Sequence, residues 1–520
     1  MFVEQTSTTS SIAGTGPKSG LRRYVVCSIA LILLHVFFML FRYGSIPISP
    51  VAPDEVVIND ASVSLAQGHG FIAESFTDSK YGLDHMFAHF PPLYPYTEAL
   101  AFKLFGISVY SLRLTTTVMS IGSTIVLFLL LWRLCRQGLM HPDVALLVNG
   151  LYCVNASAIS AERWARMESM IGLLMLLSLA AILYAIAPPP GKPVWPAMLA
   201  GGFFGALTIA VHPEAITGVI LLAALMLFLV PVKAWVRLAA ASLFVLAPLA
   251  VGLMIYGRNI LIAAHQFLRI AHDSASTNRT SYQVLWDWVH DRDISAMNRN
   301  LFLASIMFLL LVAPLTFLWN RTRLQRTSLR YRLSACFAAA GVIEILLMVF
   351  ALRMDSRRCQ FLLGTLLVLN ALCLWGNGRL KRWQGAVGWL FIAAQCAVTG
   401  YYLSARNDRV ADMNSRRFLP LIERLPAGVS VAATAGLWLD MKEAKRPFTL
   451  IVYGLDGENE WMKLNKNPLE QFDIVIIEDE ASAGKTWLKD EAHEGRTDYT
   501  YPVGSKTVEV YVRKDIPYQP

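Results

Sequence analysis

Polar and apolar positions in this chain fall into blocks rather than alternating. Apolar runs of roughly 16–22 residues recur over most of its length, which is what a helix needs to cross a bilayer. Eleven runs are expected as spans, at about 24–41, 114–132, 144–158, 168–187, 196–211, 215–230, 238–256, 300–319, 333–352, 359–376 and 384–403. The short pair 196–211 and 215–230 is hinged at His212-Pro213. The stretch 43–113 is too long for a simple connector. Within it Val57, Ala61 and Leu65 recur every four residues and stop at Gly68. Leu93, Tyr96, Leu100 and Leu104 mark a second apolar face between Pro91-Pro92 and Gly106. Both are predicted as helices lying in the plane of the membrane interface. A second long loop, 257–299, opens amphipathically at Leu261, Ala264 and Leu268 and then turns polar from His272 to Ser281.

From about residue 405 the pattern changes. Short β-rich runs at 429–433, 448–453, 473–477 and 507–513 alternate with polar stretches such as 437–445. The division expected is a transmembrane domain over 1–404 and a small α/β domain over 405–520.

Composition agrees with the blocks. The chain is 55% hydrophobic and 16% charged, with mean hydropathy +0.46, whereas a soluble domain is about 25% charged. The net charge of +9 reads as membrane orientation and not as nucleic-acid binding, because no basic run is interleaved with aromatics. The short loops carrying Arg133 and Arg136, Lys192, Lys233 and Arg237, Arg321 to Arg332, and Arg379 to Arg382 hold almost no acids. Short basic loops lie inside. The N-terminus is therefore expected in the cytoplasm, and residues 405–520 in the periplasm or its equivalent. The first apolar block is read as a retained span, and the Ser/Thr/Gly-rich residues before it as disordered. Seven cysteines include no CxxC pair and are placed mostly in apolar runs, so neither a thiolate metal site nor a disulfide framework is indicated.

On this topology the polar outliers gather on the outer side. Asp54 and Glu55 follow the first span, and His89 precedes Pro91-Pro92. Arg163, Arg166 and Glu168 open the fourth span, His212 and Glu214 lie at the hinge, and Arg353, Asp355, Arg357 and Arg358 join spans nine and ten. Carboxylates near lipid are costly. Paired with arginines they suit an anionic lipid-linked substrate and a proton to be removed. An N-cap role accounts for one acid of Asp54-Glu55 but not both, and a salt bridge to Arg163 or Arg166 is the plain alternative for Glu168. His35 and Glu344 fall mid-span and are expected to face the bundle interior with partners, without a catalytic role.

The residues Pro53-Asp54-Glu55, then His89-Phe90-Pro91-Pro92-Leu93-Tyr94, Phe105-Gly106 and Arg113-Leu114 resemble the first outer loop of the GT-C glycosyltransferases. The branch they resemble is that of the protein mannosyltransferases and aminoarabinose transferases. Arg166-Met167-Glu168, the His212-Pro213 hinge, an arginine-bearing turn before span ten and an outer α/β domain also fit. The resemblance implies an inverting transfer of a sugar from a polyprenyl-phosphate carrier to an acceptor at the outer face. It makes Asp54 the base, Glu55 its neighbour and Glu168 a second acid. Many relatives carry Lys or His directly before the Pro-Pro pair, where this chain has Phe90. The carrier phosphate is accordingly assigned to His89, Arg166, His212, Arg269, Arg357 and Arg358 as a candidate set. The acceptor implied is a glycolipid of lipopolysaccharide type, a polysaccharide or a protein. No cofactor is expected, although Asp54, Glu55, His89, His212 and Glu214 are chemically able to hold a divalent metal. The rival reading is a transporter or flippase of lipid-linked sugars.

Overall fold

A computed structural model describes residues 16–41, 43, 53–76, 82–163, 165–276, 294–350, 360–404, 418–451, 469–478, 489, 492–503 and 506–518. The chain is mostly helical, with one small sheet near its C-terminus. Among the described residues five helices are long and apolar enough to cross a membrane. They are Ser19–Leu40, Val109–Arg136, Pro142–Ser160, Glu168–Ile186 and Ala234–Arg269, and four shorter apolar helices accompany them. The protein is an integral membrane protein.

Helix α1 (Gly16–Leu40) leads into α2 (Pro53–Gln67) and α3 (Leu93–Phe105). The predicted punctuation is present. Gly68 follows α2 with φ +85°, and Gly106 closes α3 with φ +78°, a region that favours glycine. The two helices bury themselves in opposite ways. From Val56 to Ser64 helix α2 is enclosed on every side, so Asn59, Asp60, Ser62 and Ser64 are interior. Helix α3 turns its predicted apolar stripe outward: Tyr96, Leu100 and Leu104 are exposed while Glu98, Ala99 and Phe102 are buried. An outward apolar stripe suits a helix at the lipid interface, and Glu98 is the charged residue on its buried face.

Helix α4 (Val109–Arg136) opens on a capping box between Ser108 and Ser111 and carries Arg113 inward. The expected third span is split into α5 (Pro142–Cys153) and α6 (Ala156–Glu162), and α7 (Glu168–Ile186) follows a short irregular turn. The hinge is where the sequence placed it. Helix α8 (Trp195–Val211) stops at His212, whose backbone is extended, a single turn covers Pro213–Ala215, and α9 (Ile216–Leu229) resumes. Pro213 offers no N–H to continue α8. Helix α10 (Ala234–Tyr256) passes through one 3-10 turn into α11 (Ile260–Ser276). The loop expected from 257 is therefore helical as far as Ser276, because Leu261, Ala264 and Leu268 keep the helical period. Helices α12 (Ile294–Asn320), α13 (Leu329–Phe350), α14 (Leu363–Leu374) and α15 (Arg382–Ser404) complete the bundle.

Beyond it, α16 (Leu419–Glu423) and α17 (Trp438–Glu443) flank a five-stranded sheet of order β2-β1-β3-β5-β4. Strand β1 (Val431–Thr434) pairs parallel with β2 (Thr449–Ile451) and β3 (Ile474–Glu478). Strand β5 (Lys506–Arg513) pairs antiparallel with β3 and with β4 (Arg496–Val503). The sequence pattern located four of these strands and missed β4. Its run Arg496 to Val503 is largely polar and includes Pro502, which an edge strand tolerates.

Candidate active site

The site is built from one end of the bundle. Asp54 and Glu55 occupy the first turn of α2, where the unpaired N–H groups of a helix favour negative charge. Their side chains, and that of Glu214, lie outside the described residues, as do Arg357 and Arg358 altogether. Five residues after Asp54, the Asn59 amide donates Nδ2–H to the Ala165 carbonyl at 3.1 Å. This bond brings α2 against the turn between α6 and α7.

That turn concentrates charge. The Arg166 guanidinium meets Glu168 through Nη2 to Oε1 at 2.8 Å and Nε to Oε1 at 3.0 Å, and both side chains are about 5% exposed or less. Of the partners weighed from sequence, Glu168 therefore has Arg166. Arg163 is used elsewhere: its guanidinium donates to the carbonyls of Phe38 at 2.8 Å and Phe41 at 2.6 Å. Those carbonyls belong to the C-terminal end of α1, where cationic donors satisfy the open acceptors. Glu162 accepts a hydrogen bond from the Ser120 hydroxyl at 2.6 Å, and His35 Nε2 lies 2.8 Å from the same hydroxyl. His35 thus faces the interior with partners, as expected. Glu344 is buried too, but its carboxylate has no hydrogen-bond partner among the described residues.

A second cluster joins the two histidines. The Phe90 ring packs edge-on against His89 at 4.2 Å between centroids and lies 5.7 Å from the His212 ring. Phe90, directly before the Pro-Pro pair, is thus flanked by two imidazoles, one from the α2–α3 connection and one from the α8–α9 hinge. The end of α10 and helix α11 close on the same segment. Gln266 donates Nε2–H to the Met86 carbonyl at 3.0 Å, and the Tyr256 hydroxyl donates to the Phe87 carbonyl at 3.0 Å. Arg269 is exposed one turn beyond Gln266.

Three interior charges were missed as site residues. Glu98 on α3 and Arg113 on α4 are each 1% exposed or less, and both act electrostatically on Tyr43. Burial pushes the Tyr43 hydroxyl above its ordinary value. Asp60 is the third. In the sequence, Glu98 hides inside a stripe whose apolar residues dominate the pattern, and Arg113 stood only as a landmark. A mostly apolar groove of about 610 Å³, lined in part by Arg133 and Tyr184, lies at the other end of α4, roughly 30 Å from Arg113, and is separate from this site. Among the described residues no group of three or more His, Cys, Asp or Glu is placed to hold a metal ion.

No family model and no curated protein matches the chain. Solved structures do. The aminoarabinose transferase ArnT from Cupriavidus metallidurans, bound to undecaprenyl phosphate, aligns over 96% of this chain and 99% of its own, with 12% identity and a TM-score of 0.45. The oligosaccharyltransferase of Archaeoglobus fulgidus, in its apo form, aligns over 98% of this chain and 76% of its own, with 12% identity and a TM-score of 0.53. The chain shares the fold of that archaeal oligosaccharyltransferase. On this frame the candidate residues sort into those the fold brings together and those it does not. The helix of Asp54 and Glu55 meets the Arg166–Glu168 turn, and His89 meets His212 through Phe90. Arg269 lies near the second cluster on its own helix.

Proposed function

We propose that the chain transfers a sugar, with inversion, from a polyprenyl-phosphate carrier to an acceptor hydroxyl at the outer face of the membrane. The observation that carries this reading is the contact of α2, which bears Asp54 and Glu55, with the buried Arg166–Glu168 turn on a GT-C frame. The archaeal oligosaccharyltransferase of this fold has been captured with an inhibitory peptide and a dolichol-phosphate. Here Asp54 takes the acceptor proton as the oxygen attacks the anomeric carbon. The bond to the carrier phosphate breaks on the opposite side of the sugar, and the phosphate leaves with the bonding electrons. Glu55 and the Arg166–Glu168 pair shape the field around the base. His89 and His212, with Arg269, Arg357 and Arg358, are the cationic or hydrogen-bonding groups assigned to the phosphate. The N-terminus is cytoplasmic, and the C-terminal α/β region is extracytoplasmic. The acceptor class favoured is a cell-envelope glycolipid or saccharide.

The test is mass spectrometry of lipid-linked sugars and surface glycans from cells carrying the wild-type protein or Asp54→Asn. Loss of the base is expected to slow transfer by about 10²–10⁴-fold while leaving carrier binding intact. Wild-type product levels in the variant, or vectorial movement of the carrier without any covalent product, overturn the reading. Repeating the assay with divalent ions removed and restored shows whether an ion assists the phosphate.

A further inference from the structure

Helix α2 is gripped on two sides by groups far away in the chain. Asn59 reaches inward to Ala165, directly before Arg166. The next residue, Asp60, reaches into the C-terminal region. Its Oδ2 accepts the Ser75 backbone N–H at 2.8 Å. Its Oδ1 accepts the Ser75 hydroxyl at 2.7 Å and the Trp438 indole N–H at 2.8 Å, and pairs with Lys442 Nζ at 2.9 Å. The Asp60 side chain is fully buried and that of Lys442 is 7% exposed. Lys442 extends to Glu74 Oε2 at 3.4 Å, and the Leu450 N–H of edge strand β2 donates to the Ser75 carbonyl at 2.8 Å.

Apolar packing alone would hold a C-terminal region in place, and often more stably than a buried ion pair does. What the polar junction adds is direction. Four donors converging on one carboxylate fit a single rotation and a single height of α2, and a slip of one residue leaves the buried Asp60 charge unmet. Asp60 stands six residues past Asp54 on the same helix, about 9 Å along its axis. We propose that Asp60, Lys442 and Trp438 are positioning residues: the C-terminal region sets the register of α2, and through it the placement of Asp54 and Glu55 against the Arg166–Glu168 turn. This rests on the glycosyltransferase reading of those groups. The C-terminal region is then a working part of the membrane site and not an appended module.

The experiment uses the full-length protein in nanodiscs, comparing wild type with Lys442→Met, Lys442→Arg, Trp438→Phe and the charge-free pair Asp60→Asn/Lys442→Met. Two readouts are taken. The first is hydrogen exchange of the α2 backbone over residues 56–64 without substrate. The second is kcat and KM for transfer from a radiolabelled polyprenyl-phosphate hexose. Lys442→Met and the charge-free pair should speed exchange in α2 at least about tenfold while the spanning helices stay protected. They should lower kcat about 10- to 100-fold with KM within about twofold, since small misplacements of reacting groups act on that scale. Lys442→Arg should recover most of both, and Trp438→Phe should fall between. Unchanged exchange in α2 in both Lys442→Met and the charge-free pair overturns the proposal, as does a kcat equal to wild type once α2 has loosened. A wild-type protein that transfers no hexose speaks against the functional reading alone, and the exchange data still decide whether the C-terminal region holds α2.

Discussion

Arg166 and Glu168 are two residues apart and almost sealed from water, which makes their bridge costly to half-remove. Taking away one member of a buried pair strands the other charge, at about 3–5 kcal/mol. Arg166→Met is therefore expected to lower the thermal stability of the detergent-purified protein sharply. Arg166→Met/Glu168→Met should be milder than the single change, because no bare charge is left. A single variant as stable as wild type would mean that the pair is open to water. At this scale the sequence was legible where charge stood out against lipid. Arg166, Glu168, His89 and His212 were all singled out, and the fold brings them together in pairs. Asp60 was not, because a lone aspartate in a helix already explained by Val57, Ala61 and Leu65 reads as a solvated face. Its partners, Trp438 and Lys442, are hundreds of residues away, and no local pattern announces them.

Among elements, the close crossing of α8 and α10 depends on a small-residue stripe in α8. A Cβ at Gly202 would stand 2.6 Å from the Ala240 carbonyl oxygen, and one at Gly205 would run into the Phe244 ring. Small residues allow membrane helices this approach. Gly202→Ala must push two backbones apart, an overpacking cost of about 1–3 kcal/mol, and should lower the unfolding temperature in detergent. A neutral Gly202→Ala would show that the two helices part freely. Element positions were readable because caps and hinges are local chemistry: Gly68, Gly106 and Pro213 each stand where a helix ends. Past Gly257 the amphipathic start at Leu261, Ala264 and Leu268 was readable, but not that the helix runs on to Ser276. A positive φ is cheap for glycine, so the chain turns once there and resumes its helix. The split between α5 and α6 likewise carries no apolar signal.

At the level of the whole molecule, the C-terminal sheet is tied by Asp473. Its carboxylate is held below the ordinary value of 3.8, first by the Ser430 backbone N–H and further by the Ser430 hydroxyl and Arg513. A depressed carboxylate means that the unfolded chain binds the proton more readily. The stability it contributes is complete above the unfolded value and is lost as pH falls through the folded one. Exchange protection of β1 and β3 in the full-length protein should therefore weaken on acidification below about pH 4, and Asp473→Asn should flatten that part of the profile. An unaltered profile in the variant would assign the acid sensitivity to another group. The coarse architecture, a mostly helical chain with a small sheet near its C-terminus, was legible from apolar blocks followed by β-rich runs, while among the described residues five helices of spanning length stand against the eleven spans expected. Which face of α3 points inward was not legible, because in a membrane protein an apolar stripe is as much at home outside as in.

That inversion has a consequence for depth. Tyr96, Leu100 and Leu104 are satisfied only in hydrocarbon, and Glu98 behind them only away from it. One level in the bilayer meets both demands, so α3 works as a waterline for the elements packed on it. Under the proposed function, a headgroup anchored by a long isoprenoid floats at that same level.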